Sequence, residues 1–329
     1  MSKTILVTGG AGFIGSHIVE GLAERGYSVI ALDNLSLGKL ENLREVLERY
    51  ENRVEFVKGD VTDAELIFNI VKERDVSIIL HQAATSSAPM FFPDPRQGIH
   101  ANIFGFLNIL EAARRFDAGK VVYASTSSIY NVLTPPHRED MQVTPRTFYE
   151  YSLWMREHIA RMYYDYYDIE CIGLRYFSIY GPREQHKGKY ANIISQFIWA
   201  ILLGKQPVIF GDGSQTRDFT FVKDAVHANI LAIEKTGLDS EIFNVGTGKE
   251  TTFNEVLGII NGVLGKNISA KYIENPIKNY VYRTQADTTK AEKVLGFRAK
   301  TDLKNGIRIT AEYYKEIFER NPNSIPDTM

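Results

Sequence analysis

Glycines at Gly9, Gly12 and Gly15 follow the run Thr4-Ile5-Leu6-Val7-Thr8 and precede an amphipathic stretch over residues 16–25. The β-branched, apolar residues 5–7 read as a buried parallel strand. Strand, glycine turn and helix in that order is the context that a dinucleotide-binding loop requires. The first glycine permits a tight turn, the second lets backbone approach a pyrophosphate, and the third removes a side chain where helix and strand pack. The helix start then offers free N–H groups and a positive dipole end to phosphates. Asp33 ends a second strand, residues 28–33, and stands 18 residues after Gly15. A carboxylate at about that interval accepts hydrogen bonds from an adenosine ribose and repels a 2′-phosphate, which points to NAD rather than NADP. The plainer reading is a solvated loop aspartate. Hydroxyls gather at Ser125-Thr126-Ser127-Ser128, at the end of a strand over 120–125. Carboxyl ends of central strands are where open α/β sheets bind ligands.

These groups need a frame, and the chain supplies one. Further strands read at 54–57, 77–81 and 169–175, with helices at 40–50, 64–73, 101–116 and 148–167. Alternation at this spacing predicts an α/β fold with a doubly wound parallel sheet and right-handed crossovers. Beyond residue 176 the pattern changes to a smaller mixed region, with helices at 193–203, 222–234 and 253–264 and a strand at 242–245. The tail, 321–329, reads as frayed. His81 reads as a core or strand-end histidine, and the aromatics of 163–167 as packing. Asn102 and Asn108 are either exposed or anchors for neighbouring backbone.

At 329 residues the chain is long enough for about two domains. Its net charge of −2, with Lys and Arg dispersed, leaves no electrostatic footprint for nucleic acid. One cysteine, Cys171, precludes an internal disulfide and lies in an apolar run, where a buried structural thiol is expected. No apolar run reaches the length of a membrane span, no leader is read at the first residues, and no metal site is read. A cytoplasmic protein is expected.

Taken together, the residues resemble the extended short-chain dehydrogenase/reductase superfamily, in particular its NAD-dependent nucleotide-sugar epimerases and dehydratases, and most of all UDP-glucose 4-epimerase-like proteins. The resemblance spans nearly the whole chain. Its first part is carried by Thr8-Gly9-Gly10-Ala11-Gly12-Phe13-Ile14-Gly15, Asp33-Asn34, Gly59-Asp60, His81-Gln82-Ala83-Ala84 and Tyr123-Ala124-Ser125-Thr126-Ser127-Ser128. It continues through Leu174-Arg175-Tyr176-Phe177, Tyr180-Gly181-Pro182-Arg183, Gly211-Asp212-Gly213, Thr216-Arg217-Asp218-Phe219 and Ala286-Asp287-Thr288-Thr289-Lys290-Ala291.

The resemblance implies a Rossmann-type domain over 1–175, with 217–246 packing back on it, and a mainly nucleotide-sugar-binding domain over 176–329. It implies NAD held by Gly9, Gly12, Phe13, Ile14, Gly15, Asp33, Asn34, Asp60, Val61, Ala83, Ala84 and Tyr149. It implies a UDP-linked sugar held by Thr126, Ser178, Arg217 and Arg283. A homodimer through the helices at 101–116 and 148–167 follows from the same likeness. In such proteins a tyrosine, here Tyr149, takes the proton of a sugar hydroxyl, and a serine or threonine, here Thr126, bonds that hydroxyl. A lysine four residues after the tyrosine holds the nicotinamide ribose and lowers the phenol's pKa.

Here that position is Leu153, which supplies neither charge nor hydrogen bonds. Arg156, one turn further, is either a partial substitute or a partner in a surface salt bridge. Related 4,6-dehydratases carry Asp-Glu directly after the threonine; here Ser127 and Ser128 stand there and are poor proton carriers at neutral pH. The function expected is C4 epimerisation of a UDP-hexose through a transient 4-keto sugar. The alternatives are an NAD- and nucleotide-sugar-binding protein with little catalysis, or an atypical dehydratase.

Overall fold

The structure is a computed structural model, and it describes residues 3–277 and 279–327. Six strands form in chain order: β1 Thr4–Thr8, β2 Ser28–Asp33, β3 Val54–Lys58, β4 Val76–His81, β5 Lys120–Thr126 and β6 Glu170–Tyr176. With the strand Ser240–Val245 they make one seven-stranded parallel sheet, in the order Ser240–Val245, β6, β5, β4, β1, β2, β3. The doubly wound α/β fold expected from the strand–helix alternation is the fold observed.

Because side chains alternate across a strand, Ile5 and Val7 enter one core and Leu6 the other. The first core lies under the helices Phe13–Glu24 and Val222–Glu234, which pack on each other. The second lies under Ala64–Glu73, Gly105–Arg115 and Phe148–Tyr167. Chain order reverses direction between β1 and β4, so the crevice at the carboxyl ends of these strands is the place for a ligand. Three two-stranded pairs lie outside the main sheet: Ile179–Tyr180 with Thr220–Phe221, Thr216–Arg217 with Thr251–Thr252, and Val208–Phe210 with Lys271–Ile273.

Several elements differ from the sequence reading. The helix expected at 40–50 is broken into a 3₁₀ turn, Leu40–Asn42, and a short helix, Arg44–Arg49. Asn42 is turned inward there, its amide donating to the Ala11 carbonyl at 2.9 Å. The helix expected from 101 starts at Pro95, capped by the Asp94 carboxylate, and passes through a π-turn at His100–Phe104. The strand read at 242–245 runs over Ser240–Val245 and pairs with β6 in the main sheet, within the segment 217–246 that the resemblance has packing back on the first domain. An 18-residue helix, Leu303–Arg320, was absent from that reading; it buries Ile307, Ala311 and Tyr314. The tail is not frayed as far as it is described: Asn321 caps a 3₁₀ turn, and Ile325 is 4% exposed, a burial that contributes about 2 kcal/mol. Thr328 and Met329 lie outside the described residues. Tyr166 and Tyr167, read as packing, are exposed. Among the described residues no helix is long and apolar enough to cross a membrane.

Candidate active site

One cleft of about 710 Å³ opens at the carboxyl ends of the strands. The glycine loop forms its floor. Gly9 adopts φ +68°, a left-handed conformation that favours glycine, and a Cβ there would stand 2.8 Å from the Ala83 amide nitrogen. Gly12 caps the first helix without a side-chain bond, so the cap itself does not take up the first-turn donors of Phe13 and Ile14, which line the cleft with Gly15. Asp33 closes one wall: its carboxylate accepts from Ala11 N at 3.1 Å and Leu35 N at 2.8 Å, and burial raises its pKa against those donors. Asn34 donates to Asp60 at 2.7 Å, while Thr62 donates to Asp60 through both backbone and hydroxyl. Val61, Ala83 and Ala84 line the same cleft. A helix start facing a cleft, with a fixed carboxylate beside it, suits the pyrophosphate and ribose of a dinucleotide.

The other end holds the hydroxyls. Thr126, Ser127, Ser128, Tyr149, Leu153 and Ser178 all line the cleft. Thr126 bonds the Tyr149 phenol. Burial pushes the Tyr149 pKa up, whereas the Thr126 bond and the Arg156 charge pull it down. Leu153 is 2% exposed and apolar where a lysine would stand. Arg156 makes no surface salt bridge: it is fully buried, donating to the carbonyls of Asn102 and Ala83.

Polar anchors hold the Phe148–Tyr167 helix against the sheet. Asn102 is an anchor, donating to Ser152 Oγ at 2.9 Å and accepting from Thr85 N at 2.8 Å; Ser152 donates in turn to the Tyr149 carbonyl. Asn108 likewise donates to the Val61 carbonyl at 3.0 Å. Glu157 accepts from Ser125 at 2.6 Å and takes both arms of Arg175, at 2.9 and 2.7 Å. Arg175 also donates to Tyr130, which donates to Asn244 on the outermost strand. A buried ion pair with these extra partners fixes geometry more surely than it adds stability. His81 packs in the core, Nδ1 lying 2.8 Å from Thr8 Oγ1 and its ring stacked on Phe106.

Arg217 and Arg283 do not line this cleft. Arg217 donates to the carbonyls of Thr216 and Tyr282, lies over the rings of Phe253 and Tyr280, and pairs with no carboxylate among the described residues. Asp218, beside it, instead accepts from the backbone of Thr247, Gly248 and Ala286. The Arg283 guanidinium is held by both oxygens of Glu250. The reading by residue type passed over other cleft walls, including Ser86, Met90, Tyr176 and Tyr190, which lie outside the quoted motifs or served only as pattern matches.

Residues 5–246 match the NAD-dependent epimerase/dehydratase family. The UDP-glucose 4-epimerase of Mycolicibacterium smegmatis is 37% identical over 94% of this chain and 98% of its own. The UDP-glucuronate 4-epimerase of Thermodesulfobacterium geofontis is 34% identical, covering 95% of this chain and 97% of its own. The crystal structure of UDP-glucose 4-epimerase with UDP-glucose from Thermotoga maritima superposes with a TM-score of 0.88 at 35% identity, over 96% of this chain and 99% of that one. Glycine loop, sheet order and full-length likeness agree, and the chain belongs to the NAD-dependent epimerase/dehydratase family, with NAD as its cofactor.

Proposed function

We propose that the protein is a UDP-sugar 4-epimerase that inverts C4 of a UDP-hexose through a transient 4-keto sugar. The observation that carries the reading is the hydrogen-bonded pair of Tyr149 and Thr126 in the cleft, followed by Ser127 and Ser128 rather than by a carboxylate pair. Tyr149 Oη accepts the proton of the 4-hydroxyl and later returns it, and Thr126 orients that hydroxyl. When bound, NAD supplies a hydride acceptor at C4 and a hydride donor for the opposite face. The residues offered for NAD are Gly9, Gly12, Phe13, Ile14, Gly15, Asp33, Asn34, Asp60, Val61, Ala83, Ala84 and Tyr149. On the sugar-nucleotide side, Ser178 lines the cleft, and the fork of Arg217, which meets no carboxylate among the described residues, suits a diphosphate. Arg283 would have to exchange Glu250 for a phosphate. In this reading 1–175 with 217–246 serve the cofactor, and 176–329 mainly the sugar nucleotide.

Protein with bound NAD is expected to interconvert UDP-glucose and UDP-galactose, their acetamido analogues, or UDP-glucuronate and its C4 epimer. If the panel gives no epimer although NAD is retained, a binding protein with little catalysis is the better description. Leu153 is the residue that would favour it.

A homodimer belongs to the same proposal. Phe104, Phe148, Tyr151, Met155, Met162 and Tyr166 expose apolar surface on the two helical segments expected to pair. The solution mass is expected to be that of two chains; a single-chain mass at micromolar concentration would refute the pairing. The cytoplasmic location is likewise proposed, on the absence of an internal disulfide partner for Cys171.

A further inference from the structure

On the Phe148–Tyr167 helix, Tyr149, Leu153 and Arg156 stand at i, i+4 and i+7, one stripe of the helix surface. Helical side chains lean toward the N-terminus, so the long Arg156 side chain reaches back along this stripe toward Tyr149. Its Nε donates to the Asn102 carbonyl at 2.7 Å and its Nη2 to the Ala83 carbonyl at 3.1 Å. The guanidinium carbon lies 5.6 Å from the centre of the Phe106 ring. Its Nη1 is buried without a partner among the described residues. No carboxylate pairs it there, so a whole positive charge is held in the interior by two carbonyls and a ring. Structural arginines are rarely left so, because an unpaired buried charge is costly.

The acids whose charge this guanidinium feels are phenols, Tyr149 first and Tyr123 second. Burial lowers the guanidinium to about 9, so it stays charged at neutral pH. The other ionisable groups around it are accounted for. His81, from β4, is kept neutral by burial and by Arg156 itself. Tyr123, from β5, is kept protonated by burial. Glu150, beside Tyr149, is engaged by Arg146 N and Asn131, and its charge opposes ionisation of the phenol.

We propose that Arg156 is a positioning residue that stabilises the Tyr149 phenolate from two turns along the helix, in place of an ammonium at position 153. The proposal rests on the reading of Tyr149 as the proton acceptor. It also explains why Leu153 is apolar: a lysine there would set a second cation on the same stripe, between the phenol and the guanidinium.

The test is a ¹³C NMR titration of tyrosine-labelled protein with its NAD bound, the Tyr149 signal being assigned by loss in Tyr149→Phe. In Arg156→Met the phenol is expected to ionise about one pH unit higher or more, and the alkaline rise of kcat/KM moves with it. Arg156→Lys keeps the charge but not the fork, and is expected to hold most of the wild-type titration. Leu153→Lys/Arg156→Met is expected to restore it, and Leu153→Lys alone to add less than the double change recovers. The proposal is overturned if Tyr149 titrates alike in wild type and Arg156→Met, or if Arg156→Lys behaves as Arg156→Met does. Should Arg156→Met not fold, Arg156→Gln, which removes the charge but keeps amide donors for the carbonyls of Asn102 and Ala83, takes its place: a Tyr149 titration like that of wild type in Arg156→Gln, or unlike it in Arg156→Lys, overturns the proposal. The NMR readout needs no turnover, so a shift without epimerisation would retain the electrostatic coupling while removing the epimerase reading.

Discussion

Tyr149→Phe is expected to lower turnover about a thousandfold while NAD remains bound. The substitution removes one oxygen and keeps the ring, whose centre lies 6.3 Å from that of Phe91, so the wall of the cleft retains its shape. The helix anchors are also untouched, because Ser152 bonds the backbone carbonyl of Tyr149 and not its phenol. What disappears is the phenol oxygen beside Thr126, the group proposed to take a proton from a sugar hydroxyl. Thr126→Val is expected to cost less, about tenfold to a hundredfold, since it loses orientation and one hydrogen bond but leaves the base in place. The measurements are progress curves for the active sugar nucleotide and NAD content after gel filtration. Full turnover by Tyr149→Phe would move the base elsewhere in the cleft, and Ser127, Ser128 and Tyr176 would be examined next. Loss of NAD together with turnover would mean that the phenol serves binding and not proton transfer.

The frame was legible because its signals are local and repeated. The central parallel strands are short apolar runs, as in residues 5–7, and several end where a glycine, carboxylate or hydroxyl begins the ligand crevice, as at Gly9, Asp33, Gly59 and Thr126. The helix Leu303–Arg320 escaped because its charged residues outnumber the ones it buries, although Ile307, Ala311 and Tyr314 keep helical spacing. Asn42 broke an otherwise helical stretch through a contact 31 residues away, which no local pattern reveals.

The site was legible by residue type and less so by partnership. Thr126 and Tyr149 come together from β5 and the long helix, 23 positions apart in the chain. The two arginines at Arg217 and Arg283 look alike in sequence, yet one lies between aromatic rings and the other is clasped by Glu250. Arg156 is the clearest case. A helical arginine on a charged surface and a helical arginine in a core share one letter, and only the packing of Phe106 and the carbonyls of Ala83 and Asn102 separates them.

Gly15→Ala is expected to release NAD and to destabilise the fold, although it adds a single methyl group. A Cβ at Gly15 would stand 2.0 Å from the Gly9 carbonyl oxygen, 2.8 Å from its carbon and 3.1 Å from Gly10 Cα. All three are backbone atoms of the loop that would hold the pyrophosphate, and no rotamer change can move them aside. Either the helix Phe13–Glu24 retreats from β1 or the loop opens, and both displace the donors at the helix start. Overpacking of this kind costs about 1–3 kcal/mol of stability, and the distorted loop is expected to lower NAD affinity by a hundredfold or more, an order-of-magnitude figure for losing about 3 kcal/mol of aligned phosphate contacts. Gly119→Ala provides the comparison, since a Cβ there meets nothing within 4 Å and is expected to change neither property. Gly12→Ala falls between them, with a Cβ 3.0 Å from the Gly9 oxygen that the loop could accommodate by a small shift. Thermal unfolding with and without added NAD, and the NAD retained through gel filtration, should rank the variants Gly119, Gly12, Gly15 from mildest to most severe. A Gly15→Ala protein as stable and as fully loaded as wild type would show that the loop does not bind the cofactor through the geometry described, because steric contact at 2.0 Å leaves no unstrained alternative.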